Sequence, residues 1–275
     1  MSAQVDPDAF NAFEAAGWEA RAEAYRDHWA ALTGRLSDPL LDAVGVGPGM
    51  RLLDVACGPG HLAARAADRG ATSVGVDIAE AMISLARKCY PQAEFRQADA
   101  QSLPFPVGSF DAVVGDLAVP HLGRPEQATA EFGRVLASNG RLALTAWDVP
   151  ARARLVGILL EAVQEAGAAP PETLPAGPDF FRFADDAAFA ALLTNHAFTD
   201  VEVRTVAFTH SIHSADEVWD GLLQGTVRTS AVIRGQADGV VQHIRAGFDR
   251  RLQGCWTGET YQIPVSFKLA HGRRR

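Results

Sequence analysis

The residues that could do chemistry begin at a glycine-rich loop. Gly58-Pro-Gly-His-Leu-Ala63 fits the pattern G-x-G-x-x-A directly after an apolar, strand-like run. Glycine at such a turn lets the backbone come close to a ligand with no Cβ in between. Alone the loop means little, because glycine-rich strand-to-helix turns also serve as plain connectors. Three acids sharpen it: Asp54, Asp77 and Asp99 end the first, second and third strand-like runs. A pyrophosphate at the following helix N-terminus would be repelled by Asp54, whereas an ammonium would be attracted. S-adenosylmethionine carries an ammonium and no phosphate, so these residues favour it over NAD. Asp77 could accept both ribose hydroxyls, as acids in nucleotide folds do. Asp99 could accept from the exocyclic amine of adenine. Three carboxylates at one sheet edge repel each other unless a ligand uses them.

These residues need a sheet to hold them. Apolar runs at 51–56, 73–76, 94–98, 111–115 and 141–147 alternate with helical patterns at 61–69, 79–89 and 125–136. Strand and helix in alternation imply crossover connections and a parallel sheet covered on both faces. Asn139-Gly140 reads as the turn from the last of these helices into its strand. Upstream, residues 8–36 are alanine-rich and free of proline, and Trp18, Ala22, Tyr25, Trp29, Leu32 and Leu36 recur at steps of four and three. That spacing predicts one amphipathic helix. Ser37-Asp-Pro39 restarts a shorter helix that runs to Val44. After Trp147 the patterns predict a helix at 152–166, a proline-rich loop at 168–178 and a helix at 185–196. A strand at 201–209, a mostly helical stretch at 214–254 and a last strand at 261–270 follow. The chain divides into N-terminal helices (1–45), a cofactor-binding core (46–149), and a helical cap carrying the last two strands (150–275).

The ordered series of motifs resembles the class I S-adenosylmethionine-dependent methyltransferases, in particular bacterial members that act on small molecules. The matching stretches are Leu53-Asp-Val-Ala-Cys-Gly-Pro-Gly60, Gly75-Val-Asp-Ile-Ala-Glu-Ala-Met82, Ala98-Asp-Ala-Gln-Ser-Leu-Pro-Phe-Pro106 and Ser109-Phe-Asp-Ala-Val-Val114. Glu131-Phe-Gly-Arg-Val-Leu136 and Gly140-Arg-Leu-Ala-Leu144 continue it, so it covers residues 51–147. The resemblance implies a Rossmann-like α/β fold with a seven-stranded, mostly parallel sheet of order 3-2-1-4-5-7-6. An N-terminal helical lid and helical cap insertions would complete it. The strands at 201–209 and 261–270 fit as sixth and seventh, the seventh antiparallel. It implies S-adenosylmethionine as cofactor, with Ala56, Gly58 and Gly60 along the methionine portion and Asp77 on the ribose. Ile78 and Met82 would face the adenine, Asp99 and Ala100 its edge, and the Gly115 backbone the methionine end. Thr33, near the end of the lid helix, could reach the cofactor carboxylate. The family's usual Asn or Ser after the fourth strand is replaced by Gly115-Asp116, so the resemblance carries no catalytic role to that position.

Methyl transfer needs the acceptor in line with the methyl group and water kept out. A nitrogen or oxygen acceptor benefits from a base, for which His121, Asp116 and Tyr25 are candidates. A histidine bonded only to structure fits His121 equally. An electron-rich carbon needs alignment and aromatic walls. Trp29, Trp147, Phe180 and Phe181 suit a pocket for a flat or apolar acceptor, and a hydrophobic anchor as well. Core packing accounts for Trp29 and stands level with a lid role for Tyr25. Cys57 has no basic partner and reads as filler; Arg228 and Arg234 could contact an anionic substrate, and read rather as solvent-facing. The segments 150–178 and 211–258 resemble the caps of bacterial enzymes that tailor quinones, polyketides, terpenoids or indole alkaloids. The expected activity is methyl transfer to C, O or N of such a secondary metabolite. Alternatives are a cyclase that binds S-adenosylmethionine, a coupled C-methyltransferase and cyclase, an NAD-dependent oxidoreductase, and a cofactor-binding module without catalysis.

A chain of 275 residues can build one substantial core with a cap. A net charge of −8 argues against a nucleic-acid partner bound by broad phosphate neutralisation. Three cysteines, Cys57, Cys89 and Cys255, form no paired spacing, which suits a reduced, cytoplasmic setting. No metal-ligand set is expected. No apolar run reaches the ~18 residues of a membrane span, and residues 1–8 lack the features of a signal peptide. Arg273-Arg-Arg275 reads as a solvated tail. The apolar stripe of the N-terminal helix, if exposed, would allow a homo-oligomer.

Overall fold

The computed structural model describes residues 5–275; residues 1–4, half of the segment read for a signal peptide, lie outside it. The stretch expected as one helix over 8–36 is broken into α1 (Pro7–Glu19), α2 (Ala22–His28), α3 (Ala30–Thr33) and a single 3-10 turn at Gly34–Leu36. Helix α4 (Ser37–Val44) follows without a gap. Asp6 caps α1 by accepting from the Asp8 and Ala9 N–H groups, which the first helical turn leaves without partners. The breaks have tertiary causes. Gly17 lies so close to Val227 that an added Cβ would stand 2.3 Å from its Cγ1. The Trp29 indole donates to the Gly221 carbonyl at 2.9 Å. A straight helix cannot satisfy both dockings, and local propensity yields to them. The apolar stripe is therefore used within the chain: Trp29, Leu32 and Leu36 are buried rather than offered to a second copy.

The core then alternates as its periodicity predicts. Strand β1 (Arg51–Val55) leads to α5 (His61–Asp68), β2 (Thr72–Asp77), α6 (Glu80–Cys89), β3 (Glu94–Gln97) and β4 (Phe110–Gly115). Helix α7 (Pro125–Val135), β5 (Leu136–Trp147), α8 (Arg154–Glu165), α9 (Asp186–Thr194) and β6 (Phe198–Ile212) come next. Helices α10 (Ala215–Gln224), α11 (Arg228–Arg234) and α12 (Asp238–Leu252) precede β7 (Tyr261–Arg274). The seven strands form one sheet of order β3-β2-β1-β4-β5-β7-β6. All pairings among β1 to β5 are parallel, and β7 runs antiparallel to both β5 and β6. Adjacent Leu52 and Leu53 point to opposite faces. Leu52 joins a core with α4, α5, α8 and the cap helices, and Leu53 one with α7 and α9. Because β7 inserts between β5 and β6, residues 150–275 are woven into the sheet, with α8 and α10–α12 as the cap.

Two details depart from the sequence reading. Asn139-Gly140 is a bulge inside β5, not a turn before it: pairing with β4 starts at Leu136–Phe110 and resumes at Arg141–Ala112. Asn139 takes a left-handed φ of +63° there, which asparagine tolerates. The basic terminus is no tail, since Arg273 and Arg274 are strand residues that pair with Thr199 and Phe198. The loop at 168–178 holds no helix or strand, as its prolines require.

Gly60, which ends the loop before α5, has φ +91°, and an added Cβ would lie 2.7 Å from the Phe95 ring and 2.9 Å from Ala86. Gly60→Ala combines backbone strain with overpacking and should cost about 2–4 kcal/mol in urea unfolding. A loss below about 1 kcal/mol would contradict this packing.

Candidate active site

A cavity of about 310 Å³ opens at the carboxyl ends of β1, β2, β3 and β4, roofed by α1–α3 and by the cap. That is where open α/β sheets bind ligands, because the loops diverge there. The loop after β1 is shaped by three left-handed residues, Ala56, Gly58 and Gly60. Ala56 and Gly58 face the cavity, while Gly60 packs away from it on Phe95. Cys57 is buried with Phe95, Ile83 and Ala86, and burial pushes its thiol pKa well up, as suits a filler.

The strand-end acids take distinct positions. Asp77 stands on the wall with Oδ2 accepting from the Gly58 N–H at 2.9 Å and Oδ1 from the Ala79 N–H at 3.0 Å. Burial raises its pKa although these N–H groups pull the other way. Each oxygen keeps a free lone pair, which suits a vicinal diol. Asp99 is also on the wall, its Oδ1 held by the Gln101 backbone and side-chain N–H groups at 2.8 and 3.1 Å. Ile78, Met82 and Ala100 give that end its apolar faces.

Asp54 is not on the wall. Its Oδ2 accepts from the Ala63 N–H at 3.0 Å, tying β1 to the first turn of α5, and the side chain is buried behind the wall. Burial, then Asp116 and Asp77, push its carboxyl well above the usual range. The carboxylate on the wall at the end of β4 is Asp116. Thr145 donates to its Oδ1 at 2.7 Å, and Oδ2 lies 3.9 Å from His61 Nε2. Both His61 ring nitrogens are buried without a hydrogen-bond partner. Gly115 sits inside the sheet, where a Cβ would meet Leu144 and Val55 at 3.0 Å, and is absent from the wall.

The N-terminal helices bring Asn11, Glu14, Trp18, Tyr25, Trp29 and Thr33 to the cavity. Burial and the charge of Asp116 push the Tyr25 hydroxyl pKa up, so it is a neutral phenol suited to donate rather than to act as a base. Thr33 donates to the Trp29 carbonyl within its own helix. His121 lies on the wall with its ring edge-on to Trp18 and Phe180, and its Nδ1 is 2.9 Å from Glu14 Oε2. Trp147, Phe180 and Phe181 join Trp29 there, with Leu159, Val163 and Ile233 from the cap. Arg228 lines the cavity too, contrary to the solvent-facing reading, held by the Pro175 carbonyl and stacked over Phe10. Arg234 bonds Ser230 and Leu223 and does not reach the cavity.

Asn11, Glu14, Trp18 and Gln101 were not singled out as site residues from the sequence. The available signal was the spacing of Asn11, Glu14 and Trp18 at steps of three and four, which puts a carboxylate on one face with an indole.

A doubly covered sheet with this strand order and a nucleoside-shaped edge defines the class I methyltransferase fold. A family model described as "Methyltransferase domain" matches residues 53–144. The demethylmenaquinone methyltransferase of Renibacterium salmoninarum is 36% identical over 111 residues, 40% of this chain and 47% of the relative. The chain thus spans about half the length of the curated relatives it matches. Among solved structures, phosphoethanolamine N-methyltransferase 2 of Haemonchus contortus, crystallised with S-adenosylhomocysteine, superposes with a TM-score of 0.53 at 17% identity, covering 87% of this chain and 52% of that one. The [4+2]-cyclase SpnF superposes with a TM-score of 0.52 at 20% identity, covering 91% and 83%. The match at residues 53–144 and the shared fold make this chain similar to methyltransferases.

The Asp54 position has a consequence for stability. A carboxyl whose pKa is raised by folding contributes stability below its unfolded pKa and loses it as pH rises through the folded value. Asp54→Asn keeps an acceptor for Ala63 and removes that loss. The variant should gain on the wild type, without added ligand, as pH is raised from about 4 to about 8 in thermal unfolding. A variant that falls progressively behind over the same range would contradict the raised pKa.

Proposed function

We propose that the protein is a methyltransferase that moves the methyl group of S-adenosylmethionine onto a small molecule with a flat, apolar body. The observation that carries this reading is one continuous cavity with two unlike ends. One end has Asp77, Asp99, Gly58, Ile78 and Met82, with Trp18 packed beside Met82, and the other is walled by Trp29, Trp147, Phe180 and Phe181.

The residues present fit the cofactor. Asp77 has spare lone pairs for both ribose hydroxyls, Ile78 and Met82 offer faces for the adenine, and Asp99 and Ala100 border its edge. Asp116, on the wall where β4 ends, takes the place first given to Asp54 as partner of the ammonium. Gly58 takes a left-handed φ of +51°, which suits glycine, and an added Cβ would stand between the backbone and the Tyr25 ring at 3.8 Å, in space open to the cavity. When bound, the cofactor supplies an electrophilic methyl group on a sulfonium. The chain's own part is to align the acceptor, exclude water with α1–α3 and the cap, and surround the developing charge with aromatic faces. Quinone-like and other ring-bearing secondary metabolites suit such a chamber. The cyclase reading has only a shared fold behind it.

Parallel calorimetric titrations with S-adenosylmethionine, S-adenosylhomocysteine and NAD test the reading. Micromolar binding of the first two and none of NAD is expected. Asp77→Ala should weaken S-adenosylhomocysteine by tenfold or more, about what loss of charged hydrogen bonds costs, while circular dichroism stays unchanged. Binding of NAD alone, or an Asp77→Ala protein with wild-type affinity, would refute it.

A further inference from the structure

Glu14 is 2% exposed, yet it belongs to the cavity wall. Its two oxygens are treated unequally. Oε2 receives the Trp18 indole N–H at 3.0 Å and lies 2.9 Å from His121 Nδ1. Oε1 is buried and has no hydrogen-bond partner. The nearby cations are spent elsewhere: Arg21 donates to the Gly17 carbonyl and to Ser230, and Arg228 to the Pro175 carbonyl. A buried carboxylate oxygen without a donor is costly, and the chain could have avoided the cost with glutamine or leucine.

We propose that Glu14 receives the methyl acceptor: its Oε1 takes the hydrogen bond, and during reaction the proton, of a neutral hydroxyl on a flat apolar molecule. This rests on the methyl-transfer reading above. The charges around Glu14 choose the group. An anionic head would face the carboxylate itself, and an ammonium would enter beside the guanidinium groups of Arg21 and Arg228, which lie close enough to feel the charge of Glu14 and would repel it. A neutral O–H donor satisfies Oε1 with neither penalty. The flat body follows from Trp18 and Phe180, which flank His121 edge-on, and from Phe181 beside them.

The step balances. An oxygen lone pair of the acceptor forms the new C–O bond, the methyl C–S bond breaks, and its electron pair stays on sulfur. The O–H bond breaks and its proton goes to Glu14 Oε1. The positive charge of the sulfonium and the negative charge of Glu14 disappear together, which a low-dielectric chamber favours. A carboxylate is a weak base, but the hydroxyl becomes far more acidic as its oxygen bonds to carbon, so transfer late in the step suffices. His121, in the tautomer with Nδ1–H donated to Glu14, is then a positioning residue for the carboxylate rather than the base.

The test uses naphthol and its methyl ether, which share a flat body and differ in the O–H donor. Their affinities for the full-length protein are measured by calorimetry with and without S-adenosylhomocysteine. Wild type should bind naphthol at least about tenfold more tightly than the ether. Glu14→Gln should bring the two within about threefold, with S-adenosylhomocysteine affinity unchanged as evidence of an intact fold. Equal affinities in wild type, no binding of naphthol, or a preference that survives Glu14→Gln would overturn the proposal. If Glu14→Gln does not fold, the wild-type pair alone decides. A protein that ignores S-adenosylhomocysteine but prefers naphthol would sink the methyl-transfer reading and leave the hydroxyl site standing.

Discussion

Asp54, Asp77 and Asp116 share one buried edge of the sheet, close enough that Asp116 and Asp77 both raise the pKa of Asp54. Holding three carboxylates in a low-dielectric region is costly unless each is given donors or a counter-charge. The fold answers differently for each. Asp54 is tied to the start of α5, Asp77 to the N–H groups of Gly58 and Ala79, and Asp116 to Thr145. The left-handed turn through Ala56, Gly58 and Gly60 delivers the Gly58 N–H and leads into the first turn of α5, which delivers that of Ala63, so the loop's shape and the acids' charges are linked. Asp77 and Asp116 end with unused capacity toward the cavity, which suits the cationic nucleoside of the proposed function.

The second half of the site depends on how the N-terminal segments dock. Trp29 anchors them to α10 through the Gly221 carbonyl, and Gly17 sits flush on Val227 at the start of the α11 region. Those contacts break what would otherwise be a single helix, and the break turns α1 across the mouth of the cavity. Glu14 and Trp18 then meet His121, which the loop after β4 supplies. Sheet edge, N-terminal helices and cap each bring part of the wall, so the cavity is complete only when all three are packed.

Much of this was legible in the sequence, for local reasons. The alternation of apolar runs and helical patterns carried the parallel sheet covered on both faces, and Asp77 and Asp99 at strand ends marked its ligand-facing edge, while the strand order came from the family resemblance. Ile78, Met82 and Ala100 came with it through the family resemblance, and all three line the cavity. What was not legible depends on tertiary direction. An acid at a strand end can face a ligand or the following helix, and only the backbone of residues 56–60 turns Asp54 toward Ala63. The stripe from Trp18 to Leu36 fits a continuous helix until Val227 and Gly221 are seen to grip it from outside. Arg228 reads as an ordinary surface cation because nothing local shows that α11 turns it toward the cavity. Glu14 was missed because its partners, His121 and the cavity itself, lie over a hundred residues away.

The central claim is that the carboxyl edge and the aromatic chamber are two halves of one site for a methyl donor and its acceptor. A crystal structure of the complex with S-adenosylhomocysteine tests it most directly. The account predicts ribose hydroxyls on Asp77, adenine against Ile78 and Met82, and the sulfur facing the chamber that holds Glu14 and His121. A ribose bound away from Asp77, or a sulfur turned from that chamber, would contradict it.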